Sequence, residues 1–68
     1  MAILKVLELM ANSTKSWEDA TQQAVTEASK TLHNIRSVYV QDQSASVKDS
    51  KITEYRVTVK LTFEVDKV

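Results

Sequence analysis

The chain has 68 residues, nine basic and nine acidic side chains, one His, and no Cys, Gly or Pro. A single domain of that length has a core that supplies no more than roughly 3–5 kcal/mol of net stability, so it needs a staple. Disulfides are excluded without Cys, and a closed structural zinc site is excluded with only His33 and no thiolate; self-association is the staple that remains.

The cancelling charges remove the long-range positive field that drives binding to nucleic acid or anionic lipid, so neither is an expected partner. Without glycine no phosphate-cradling glycine loop can form, and turns must be built from Asn, Asp and Ser. The apolar stretch from Val6 to Ala11 is broken by Glu8 and has no basic flank of the export-signal type, so a cytoplasmic location is expected.

Residues 3 to 10 are apolar on both alternating faces apart from Lys5 and Glu8, as expected of a strand covered on two sides. One side would meet a helix and the other a neighbouring subunit. Asn12, Ser13, Thr14 and Lys15 read as a polar connector. Ser16 followed by Asp19 resembles a capping box with Asp in the Glu position, so a helix starts at Trp17. Trp17, Ala20, Ala24, Ala28, Leu32 and Ile35 recur at spacings of three or four and form its apolar stripe, with three alanines allowing close approach to a sheet. Glu18 and Asp19 at the start and Lys30 and Arg36 at the end suit the helix dipole, and Asn34 is the expected C-terminal cap.

Residues 36 to 48 read as a second strand, with Val38 and Val40 on one face and Ser37, Tyr39, Gln41 and Gln43 on the other. Asp49 and Ser50 make a two-residue hairpin turn. Beyond it Tyr55, Val57, Val59, Leu61, Phe63 and Val65 alternate strictly with Glu54, Arg56, Thr58, Lys60, Thr62 and Glu64. At 100° per residue those apolar positions would scatter around a helix, so this is a long, half-buried strand.

A loop of Asp49 and Ser50 sets the register: Gln43 opposite Arg56, Gln41 opposite Thr58, Tyr39 opposite Lys60 and Ser37 opposite Thr62. The fold expected for residues 1–68 is therefore a single α+β domain of β-α-β-β order, a three-stranded antiparallel sheet packed on one helix. Its other sheet face carries Ser37, Tyr39, Gln41, Gln43, Arg56 and Thr58. A helix about 10 Å wide cannot cover strands that reach roughly 40 Å, so the overhang calls for a homo-oligomer.

The element order together with SWEDA (16–20), NIRSVYVQDQS (34–44) and KITEYRVTVKLTFEV (51–65) resembles the dodecin family over essentially residues 2 to 66. The resemblance implies a hollow homododecamer with helices outside and sheets lining the interior. It also implies a small ligand at subunit contacts, a flavin such as FMN or riboflavin, held for storage or sequestration. In the family the flavin ring stacks on a Trp near the start of the second strand and is held by a Gln in the third. Those positions carry Ser37 and Arg56 here. Ser37 offers no aromatic face, which forgoes a stacking contact worth about 1–3 kcal/mol, although Tyr39 lies two residues along on the same face. Arg56 pairs with phosphate or carboxylate better than Gln does, which shifts the expected ligand toward an anion. The sequence is similar to the branch lacking the Trp, which makes a calcium-binding or purely structural shell the alternative.

For calcium, no run has EF-hand spacing, and Asp42, Asp49, Glu54, Glu64 and Asp66 could converge only through symmetry; otherwise they form a solvated charged edge. Trp17, on the apolar stripe, reads as core rather than as part of the site. His33 has no evident nucleophile or orienting acid at triad-like positions, so no catalytic residues and no enzymatic activity are expected.

Overall fold

A computed structural model describes residues 2–65. Strand β1 (Leu4–Ser13), helix α1 (Trp17–Ala28), strand β2 (Ile35–Lys48) and strand β3 (Lys51–Glu64) form one antiparallel sheet in the order β1-β3-β2 with the helix against one face. The expected fold class is the one observed. The strictly alternating strand β3 lies in the middle, where both of its edges are paired.

The core is small. Val57, Val59 and Leu61 of β3 are fully buried against Ala20 and Ala24 of the helix, and Leu9, Ala11, Trp17, Val25, Ala28 and Ile35 pack around them half-buried. The two alanines bring the helix backbone close to the sheet. Trp17 closes one end: its indole Nε1 donates to the Ser44 carbonyl at 2.9 Å, and its ring meets Tyr55 edge-on at 4.9 Å.

β1 runs three residues further than its apolar pattern, because Asn12 and Ser13 continue the ladder opposite Arg56 and Tyr55. Backbone pairing here overrides the turn preference of both residue types. The helix starts where expected, with Ser16 Oγ accepting from the Asp19 N–H at 2.9 Å. The reciprocal half of the box is replaced. Asp19 Oδ2 instead accepts from Ser13 Oγ at 2.6 Å and from Gln23, and Ser13 Oγ accepts from the Lys15 N–H at 2.9 Å. One carboxylate thereby ties the end of β1 to the first turns of the helix, and the Ser13 hydroxyl above all, then the Gln23 amide, hold its pKa below the ordinary 3.8.

The helix ends earlier than its stripe, at Ala28. Lys30 and Thr31 N–H groups bond the Glu27 and Ala28 carbonyls in a tightened turn, so Leu32 follows the helix and Ile35 belongs to β2, opposite Phe63. Asn34 does not cap the helix; at φ 60° it turns the chain into β2, and its carbonyl accepts from the Glu64 N–H at 3.0 Å. Nor do the two basic residues answer the dipole. Lys30 pairs with Glu27, and Arg36 with Glu64 across the sheet.

The hairpin loop is Asp49 and Ser50, as expected, with both residues at positive φ, 53° and 66°, the requirement of a type I′ turn. The register is corrected in part. Tyr39 faces Lys60 and Ser37 faces Thr62, but Gln43 faces Val57 rather than Arg56, and Gln41 is an extra residue between Val40 and Asp42. A β-bulge at Gln41 shifts the pairing by one residue, and a compensating irregularity near the hairpin end, between Ser46 and Val47, restores it.

The protomer is elongated, 53 × 20 × 13 Å, with a radius of gyration of 14.0 Å against about 11 Å for a compact domain of this length. Its accessible surface, 5133 Å², exceeds the roughly 4300 Å² typical of a folded monomer of this mass.

Two outcomes follow from these local contacts. Replacing Ser50 by Gly removes a side chain from a left-handed position and should raise the stability of the assembled protein by about 0.5–1 kcal/mol, read as a higher denaturant midpoint. Asp19→Asn should lower the melting temperature at neutral pH, where the depressed pKa makes the carboxylate stabilising. Because that contribution fades as pH falls through the lowered folded pKa, the gap from wild type should close in acid; a gap independent of pH would contradict the charge's role.

Candidate functional site

The sheet face away from the helix is set by the ladder: residues opposite Arg56, Thr58, Lys60 and Thr62 share it, and residues opposite Val57, Val59 and Leu61 point to the core. Across the strands its rows read Leu4 and Glu64; Val6, Thr62 and Ser37; Glu8, Lys60 and Tyr39; Met10, Thr58 and Asp42; Asn12, Arg56 and Ser44, while Arg36, at the register irregularity between Ile35 and Ser37, reaches Glu64 through its side chain. Of the residues singled out in the sequence, Ser37, Tyr39, Arg56 and Thr58 lie on this face. Gln41 occupies the bulge beside Thr58, and Gln43 falls on the helix side, because the bulge reverses the alternation.

These residues are not gathered into one pocket. Tyr39 sits opposite Lys60, four residues along β3 from Arg56, a separation of roughly 13 Å. Ser37 lies one row further away. The protomer has concavities elsewhere: one of about 420 Å³ runs between β1 and the helix, lined by Leu9, Met10, Ala11, Asn12, Gln23 and Ala24 among others. A smaller one of about 280 Å³ lies at the β2 edge, where Ser37 joins Ile35, Arg36, Val38 and the helix residues Gln22 and Val25.

Asn12 and Ser44, which flank Arg56, are not among the residues the sequence pattern places on this face, and Asp42, considered there only as a calcium ligand, faces Thr58. Asn12 looked like connector, and only the central position of β3 reveals that β1 borders Arg56. Asp42 and Ser44 looked core-facing until the bulge turned them round. Arg56 Nε donates to Asn12 Oδ1 at 3.0 Å. At the other end of the face Arg36 sends Nε and Nη2 to a single Glu64 oxygen at 3.1 and 2.8 Å, an ion pair in which the carboxylate offsets the guanidinium's charge.

Apolar side chains interrupt the polar rows. Leu4, Val6 and Met10 of β1 are exposed on this face, Met10 by 64%, and the ring of Tyr39 is equally open. On the helix side, Val47 and Ile52 face each other beyond the end of the helix, 65% and 53% exposed. No cluster of three or more His, Cys, Asp or Glu able to hold a metal occurs among the described residues; Asp66, one of the acids considered for calcium, lies outside them. No helix among the described residues is long and apolar enough to cross a membrane.

Comparison with known proteins agrees with this geometry. Over 65 residues the chain is 29% identical to the calcium dodecin of Mycobacterium tuberculosis, covering 96% of this chain and 92% of that protein. Its structure superposes on that calcium dodecin, a calcium-chelating antigen, with a TM-score of 0.81 at 31% identity over 94% of this chain and 91% of the other. A dodecin from Streptomyces coelicolor matches at a TM-score of 0.92 and 25% identity, over 98% and 96% of the two chains. A Streptomyces davaonensis dodecin matches at 0.91 and 26%, over 97% of each. The dodecin family's sequence model covers residues 3–66, and with the β-α-β-β order and the half-clothed sheet already described, the chain belongs to the dodecin family.

Proposed function

We propose that the chain closes into a hollow homododecamer in the cytoplasm and stores a small ligand at the contacts between copies, without turning it over. The observation that carries the reading is the open sheet face: it presents an aromatic ring (Tyr39), a charge that no acid among the described residues pairs with (Arg56) and hydrogen-bonding hydroxyls (Ser37, Thr58), yet one protomer does not enclose them. Such a site becomes a site only when another copy supplies its walls.

The ligand proposed is a flavin, with FMN fitting better than riboflavin. Tyr39, 64% exposed, can cover one face of the ring system, and Arg56 can take the phosphate in a forked hydrogen bond. Ser37 contributes a hydroxyl and room rather than a stacking surface. Gln43, on the helix side, drops out of this set, while Gln41 stays at its edge. The second reading is a calcium-binding shell. It is favoured by the likeness to the M. tuberculosis calcium dodecin and by the side chains Asp42 and Glu8 on the same face. In this reading several copies must contribute oxygen ligands, since calcium takes six to eight and the described residues of one protomer bring no cluster together.

Titration into a fixed concentration of FMN separates the readings. The flavin reading expects quenching of the flavin fluorescence, which Tyr39→Ala weakens at least tenfold, in keeping with a stacking contact. Absence of quenching, together with a calcium-dependent rise in melting temperature that a chelator reverses, would replace flavin by calcium.

A further inference from the structure

The two arginines of the open face are held in opposite ways. Arg36 spends its guanidinium on Glu64, a carboxylate that cancels its charge. Arg56 is held by Asn12, a neutral amide, through Nε alone. Its same-face neighbours include two acids, Glu54 along β3 and Asp42 diagonally across on β2, and neither pairs with it. Among the described residues no paired carboxylate offsets the charge of Arg56. The Nε bond fixes the plane of the guanidinium and leaves the edge formed by Nη1 and Nη2 for another acceptor.

We infer that Asn12 and Arg56 form a positioned anion receptor, in which Arg56 selects phosphorylated over neutral ligands and Asn12 acts as its positioning residue. The inference deepens the storage reading, since it names the ligand class at that same face. A phosphate monoester or diphosphate presents two oxygens at the spacing of the guanidinium's parallel N–H bonds, which a hydroxyl group cannot do. An amide is the suitable orienting group, because it accepts from Nε without cancelling the charge. A carboxylate in the same place would hold the guanidinium equally well and neutralise it, as Glu64 does to Arg36. Position and charge compensation are thus separable by a one-atom change in side chain 12.

The test compares FMN and riboflavin affinities, and the binding heat of inorganic pyrophosphate, in the assembled wild type, Arg56→Gln, Asn12→Ala and Asn12→Asp. Circular dichroism and native mass confirm that each variant is folded and assembled. The inference expects wild type to prefer FMN about tenfold or more, a preference that weakens with added salt. Arg56→Gln and Asn12→Asp should bring the ratio close to one, with Asn12→Ala in between. If neither flavin binds, the flavin reading fails on its own, and the receptor is then supported by pyrophosphate heat that Arg56→Gln and Asn12→Asp abolish. Equal binding of the two flavins by wild type without pyrophosphate heat, or an Asn12→Asp protein that keeps the full preference, would overturn it.

Discussion

A helix of 12 residues lies across strands of 14, and that mismatch governs the molecule. The helix covers roughly 18 Å, while each long strand extends about 46 Å. Within the covered length, Val57, Val59 and Leu61 are wholly buried against two alanines; outside it, Val47 and Ile52 continue the same apolar face with nothing over them. The far face is likewise uncovered at Leu4, Val6 and Met10. Apolar surface left in water costs on the order of 25 cal/mol per Å², and a core this small has little stability to offset it. The protomer is thus better understood as one wall of an assembly than as a free-standing domain.

The same mismatch explains why the far sheet face is open and its polar groups dispersed. A small closed domain builds its site in a cleft, with walls from its own loops. Here the connections are short: a two-residue hairpin, a brief link before the helix and a tight turn after it. None is long enough to fold back over the sheet. The proposed ligand would need walls from neighbouring copies, since Tyr39, Thr58 and Arg56 occupy successive rows of one flat ribbon. Charge is managed along that ribbon as well. Arg36 is cancelled by Glu64, while Arg56 is oriented by an amide and kept charged.

Much of this was legible in the order of residues, for reasons that can be named. The alternation from Tyr55 to Phe63 admits only a strand, and its middle apolar members Val57, Val59 and Leu61 are fully buried. Ser16 marked the helix start because its hydroxyl answers a backbone donor that would otherwise be orphaned. The helix end was misjudged because the stripe of apolar spacings runs on through Leu32 and Ile35, and periodicity does not reveal that Asn34 adopts a left-handed turn between them. The pattern assigns Gln43 to the wrong sheet face for a related reason. A bulge leaves the alternation of residue types almost undisturbed while reversing which face each one occupies, so Gln43 moved to the helix side and Asp42 and Ser44 replaced it. Asn12 could not be found by pattern at all, since its importance depends on β1 lying next to β3 rather than next to β2.

The central claim is that the fold requires its own copies, and sedimentation at low micromolar concentration addresses it most directly. The account predicts a single folded species near twelve times the 7.7 kDa chain mass, with dissociation and loss of structure occurring together on dilution or denaturation. A folded, stable 7.7 kDa monomer would contradict it, because the uncovered faces of Val47, Ile52, Leu4, Val6 and Met10 would then need no partner.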